Sequence, residues 1–139
     1  MKIVLDTNVI ISAFATHGIC KKVFETSLLN FSIILSDFIL DEIKDVLSSK
    51  LKIPQEIIDE IIGYLKENST LVVPETISFS ACKDQKDLNI LGTAISGKAK
   101  FIITSDKDLL EIKDFEGIKI VNPREFYENF KKFFLKINS

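Results

Sequence analysis

The 139-residue chain contains one histidine, one arginine and two cysteines, and each scarcity narrows its chemistry. With His17 alone, a histidine-based metal centre and a serine or cysteine triad are both disfavoured. Cys20 and Cys82 form no CxxC pair and no metal-ligand pattern, so they read as buried thiols of a reduced, cytoplasmic protein. Arg124 is the only arginine and the formal net charge is −2, so no strong global field draws in nucleic acid. Binding of a polyanion must then rest on local patches or on metal. No segment is long and apolar enough to span a membrane, and Asp6 and Asn8 interrupt the first apolar run too early for a signal peptide. Internal repeats, low-complexity stretches and linkers are also missing. Residues 1–139 therefore read as one domain, and a hydrophobic fraction of 46% gives it a substantial core.

What is present is an alternation of strand and helix. Residues 2–6 are a short apolar run with β-branched side chains, the mark of a strand covered on both faces. Phe31 to Leu35, Leu71 to Val73, Phe101 to Thr104 and Ile118 to Val121 supply four more. Between them lie helical stretches: 8–15, 18–29 opening at Gly18, one from a Ser36 N-cap to about 49, one after Pro54, and 86–96 ending at Gly97. Pro123 opens a last helix carrying Phe126, Phe130, Phe133 and Phe134. The expected fold is a three-layer α/β/α domain around a central, mainly parallel five-stranded sheet.

Four acids fall where strand gives way to helix. Asp6 closes the first strand, Asp106 follows the fourth, and Asp87 opens the helix before Leu91 and Ala94. Glu42 lies six residues past Ser36, about 9 Å along its helix, where it reaches the same edge if that helix leans across the sheet. Ligands of open α/β sheets bind outside the carboxyl ends of the strands. Carboxylates gathered there repel one another unless a cation joins them, and hard ions such as Mg²⁺ or Mn²⁺ take oxygen ligands. Each acid also has a plainer reading. Asp6 can form an Asx-turn, Asp84 with Asp87 and Asp106 with Asp108 can cap helices, and Glu42 can belong to a solvated face with Asp41 and Asp45. Four such coincidences on one edge are less economical than one site. Asn8, Thr104 and Ser105 stand beside the acids as candidate orienting groups, and Lys83, Lys86 and Lys107 as candidate phosphate contacts.

At these residues the chain resembles PIN-domain proteins. The resemblance is carried by Leu5-Asp6-Thr7-Asn8, Ile39-Leu40-Asp41-Glu42-Ile43, Asp84-Gln85-Lys86-Asp87 with Ile90, Leu91 and Ala94, and Ile103-Thr104-Ser105-Asp106-Lys107-Asp108. It is strongest to the small prokaryotic, VapC-type members of toxin–antitoxin pairs. It implies a Mg²⁺- or Mn²⁺-dependent ribonuclease for single-stranded RNA, a small antitoxin partner and a homodimer. Carried over, the catalytic and metal-binding set is Asp6, Glu42, Asp87 and Asp106, with Asp108 as an accessory. Gln85 departs from the proline common in this subgroup. Two rival readings remain at this stage. A phosphoaspartate phosphatase or receiver would use Asp6, but Asp6-Thr7-Asn8 lacks the second Asp of a DxDxT motif. A catalytically silent binding module would use the Phe-rich last helix as its interface. Part of that face must pack on the sheet, and the remainder would form an apolar patch suited to self-association.

Overall fold

The computed structural model describes residues 1–78, 80 and 82–138, with side chains through Lys132. The first half of the chain builds one edge of the sheet. Strand β1 (Lys2–Leu5) leads through helices α1 (Thr7–Ala15) and α2 (Ile19–Asn30) to β2 (Ser32–Leu35). Helix α3 (Asp37–Asp45) runs without a break into a π-helical turn, Val46–Lys50, and α4 (Gln55–Glu67) then delivers β3 (Thr70–Leu71). The second half contains α5 (Gln85–Ser96), β4 (Phe101–Ile103), α6 (Lys107–Ile112), β5 (Asp114–Phe115), β6 (Ile118–Val121) and α7 (Pro123–Asn138).

The strand order is β3-β2-β1-β4-β6-β5, and every pairing is parallel except β5 with β6. The sheet thus has six strands, one more than the sequence pattern indicates. The extra strand is a two-residue edge turned back by Glu116-Gly117, both at positive φ (51° and 85°), the geometry of a type I′ hairpin turn. Chain direction across the sheet matters most for the site. From β1 the chain steps outward to β2 and β3, then returns past β1 to place β4 on its other side. Right-handed crossovers therefore put α1 to α4 on one face and α5 and α6 on the other, with the reversal falling between β1 and β4.

Central strands are buried on both faces, as their β-branched runs require: Ile3, Val4, Leu5, Ile102 and Ile103 are all fully buried. Leu5 pairs with Ile103, so Asp6 and Thr104 leave the sheet side by side. Helix α7 packs its Phe126 and Phe130 edge-on against Phe31, with Phe126 also against Phe101. Phe126 belongs to the core, and Phe130 is half-buried beside it. The side chains of Phe133 and Phe134 lie outside the described residues.

Candidate metal centre

Beginning at the end of β1, Asp6 is only 7% exposed and caps α1. Its Oδ1 accepts from the Thr7 amide at 2.7 Å and its Oδ2 from the Thr104 hydroxyl at 2.6 Å. Thr104 is itself fully buried, and its oxygen accepts from the Asp106 amide at 2.9 Å. One hydroxyl therefore ties together two acids that are 100 positions apart in sequence. Asp106 caps α6, its Oδ1 accepting from the Asp108 amide at 2.8 Å. On α5 the two acids divide the work. Asp84 caps the helix through the Lys86 amide at 2.9 Å, leaving Asp87 to face the other carboxylates. One oxygen each of Asp87, Asp106 and Asp108 lies within 4.8 Å of the others. Asp6, Asp84 and Asp106 thus cap helices and also lie on one edge of the sheet, because strand ends and helix starts coincide there.

Beside this cluster is a cleft of about 460 Å³ whose walls include Asp6, Glu42, Asp84, Asp87 and Asp106 together with Thr7 and Asn8, while Asp108 is exposed and lies outside its described lining. Glu42 stands on the α3 wall, half-buried, and the Lys86 ammonium reaches it across the cleft at 3.6 Å. Lys86 is the one of the three lysines singled out from sequence that lines this cleft; Lys83, Lys107 and Ser105 are exposed and lie outside its described lining. Sequence reasoning passed over Phe38, Asp45, Val46, Lys50 and Asn89, which also line it. The signal available for some of them was the four-residue spacing of Phe38, Glu42, Val46 and Lys50.

The electrostatics follow from this crowding. Burial pushes the Asp87 carboxyl up to about 7, helped by the charge of Asp106, a hydrogen bond shared with it, and the charges of Asp84 and Asp6. Burial also raises Asp6, opposed by its hydrogen bonds from Thr104 and Thr7 and reinforced by Glu42 and Asp106. Burial, then Asp87, raise the nearby Cys82 thiol, which makes it a poor nucleophile. Thr7 Oγ1 is the buried side-chain polar atom without a hydrogen-bond partner among the described residues.

A carboxylate cleft at the reversal point of a parallel sheet defines a class of α/β protein with an acidic edge. A family profile described as PIN domain matches residues 2–108, and the chain belongs to that family. Among solved structures, the fold is similar to that of a chain in the crystal structure of VapBC2 from Rickettsia felis bound to a DNA fragment from their promoter. The TM-score is 0.64 at 19% identity, over 88% of this chain and 98% of that one. None of the curated proteins matches the sequence. Among the described residues, no helix is long and apolar enough to cross a membrane.

Proposed function

We propose that the chain is a divalent-metal-dependent endoribonuclease that cleaves single-stranded RNA, acting as the toxin of a toxin–antitoxin pair. In this reading it works in the cytoplasm as a homodimer with a small antitoxin protein as partner. The observation that carries the reading is the convergence of Asp6, Glu42, Asp87 and Asp106 on one cleft, with Asp108 at its margin and one oxygen each of Asp87, Asp106 and Asp108 within 4.8 Å of the others. Membership in the PIN family, whose domains are generally nucleases, and a fold shared with VapBC2 support it.

The residues fit Mg²⁺ or Mn²⁺. Every candidate ligand is a hard oxygen donor, and Asp87, raised by burial first and then by the charge of Asp106, has an ionised form that a bound cation would favour. Asp87, Asp106 and Asp108 would hold the ion. Asp6 and Glu42 would join them directly or through water, since each carboxylate oxygen keeps a lone pair beyond those used by Thr7 and Thr104. When bound, the ion supplies Lewis acidity for phosphodiester hydrolysis and an acidified water. The chain's own residues do the positioning. Thr104 fixes the Asp6 carboxylate and Lys86 holds Glu42.

The test is cleavage of a single-stranded oligoribonucleotide in Mg²⁺ or Mn²⁺ and its arrest by EDTA. Asp106→Asn is nearly isosteric but uncharged, and it should lose at least about 100-fold in kcat while keeping the wild-type circular dichroism. Asp59→Asn, on α4 outside the described lining of the cleft, should cleave like wild type. Equal cleavage by all three proteins would remove the assigned site.

A further inference from the structure

We propose that the α3 wall of the cleft is a track for one extended strand, on which Phe38 stacks a nucleobase and Lys50 takes a backbone phosphate; this rests on the ribonuclease reading above. Phe38, Glu42, Val46 and Lys50 follow one another at intervals of four, and all four line the cleft. In an unbroken α-helix a residue eight positions on is turned about 80° from the first, which would swing Lys50 away from Glu42. The π-helical turn corrects this. Its wider winding, closed by the Leu51 amide on the Val46 carbonyl at 3.1 Å, brings Lys50 back over the cleft. Isolated π turns of this kind occur frequently at functional sites.

The two ends of the stripe have the chemistry of single-strand recognition. Phe38 is 55% exposed, and no described ring stacks on it. An exposed phenylalanine alone is unremarkable; this one precedes Glu42 by one turn, about 6 Å along the helix axis, on the wall of the same cleft. Lys50 makes no ion pair among the described residues, whereas Lys86 is engaged with Glu42. It is therefore a cation still available to a phosphate in an otherwise acidic cleft. Phe38 and Lys50 start roughly 17 Å apart along the helix, further than one nucleotide spans from base to phosphate, so the base and the phosphate they hold belong to different nucleotides. A duplex keeps its bases stacked inside and cannot offer one to Phe38, so the track selects unpaired strands.

Steady-state cleavage of a fluorescent mixed-sequence 12-mer RNA, in Mn²⁺ across a salt series, tests the track. Phe38→Ala should raise KM about 5- to 150-fold, the range for one stacked base, with kcat within about twofold, and Phe38→Trp should restore it. Lys50→Ala should raise KM and shrink the slope of log KM against log salt by about 0.7, the share of one phosphate on a single strand. Lys44→Ala, on the same helix but outside the described lining of the cleft, should do neither. Unchanged KM and salt slope in both cleft variants, with wild type cleaving normally, would overturn the track and leave the ribonuclease standing. If wild type does not cleave, anisotropy of the same oligonucleotide in Ca²⁺ makes the comparison. Weaker binding by both variants retains the track without the nuclease, and equal binding removes it.

Discussion

At the scale of single residues, Asp87 carries the clearest consequence. Its folded-state carboxyl titrates near 7 against an ordinary value of 3.8, so between those values the native state holds a proton that the unfolded chain has lost. A raised pKa contributes stability that is present below the unfolded value and disappears as pH rises through the folded one. Metal-free protein should therefore become less stable from pH 5 to pH 8, by at most about 3 kcal/mol for the roughly two units between pH 5 and the folded value at 1.36 kcal/mol per unit. Asp6, raised in the same direction, adds to the trend. Thermal unfolding in EDTA should show wild type losing more than Asp87→Asn across that window, and parallel pH profiles would contradict the assignment. The identities of these acids were legible in the sequence because Asp at a strand end and at a helix start is a local signal. Their connection through Thr104 was only half legible. The sequence marks Thr104 as a neighbour of Asp106, but its hydrogen bond to Asp6 spans 98 positions and exists only once β1 and β4 pair.

At the scale of elements, two helical glycines separate packing from propensity. A Cβ on Gly92 would sit 2.2 Å from the backbone carbonyl oxygen of Glu75, whose amide donates to the Gly92 carbonyl at 3.0 Å. Neither backbone can yield cheaply, so Gly92→Ala should destabilise by about 1–3 kcal/mol. Gly63, inside α4, has nothing within 4 Å, and Gly63→Ala should stabilise by roughly 0.5–1 kcal/mol through helix propensity. Urea unfolding of the two variants should move the midpoint in opposite directions, and a shift of the same sign in both would refute the contrast. Periodicity located every long helix, yet it gave no sign of these close approaches, which depend on a segment 17 residues away. Ser36 shows the same limit. It occupies the N-cap position read from sequence, but makes no side-chain cap; it is buried against α5, where its Oγ accepts from the Thr93 hydroxyl at 2.9 Å. The edge strand β5 was missed because two residues are too few to show alternation.

At the scale of the whole molecule, the acids are charges that the fold brings together against their repulsion. A cation that binds only the native arrangement stabilises it by mass action, about 2.7 kcal/mol when free ion is 100 times the dissociation constant. Millimolar Mn²⁺ at pH 8 should raise the unfolding midpoint of wild type by several degrees, and that of Asp106→Asn by clearly less. An unmoved wild-type midpoint would speak against any divalent ion in the cleft. The effect should fade towards pH 5, where protons compete for Asp87.

The pairing of β1 with β4 has a further meaning for the order in which the chain is made. Asp6 leaves the ribosome early, but its partner Thr104 and the neighbouring Asp106 follow roughly a hundred residues later. At about 5–20 residues per second, the cluster stays incomplete for several seconds of synthesis, whatever local helices have already formed. An emerging chain therefore carries no assembled cleft beside the translation machinery that is making it. The acids come into register only when nearly the whole sheet can close.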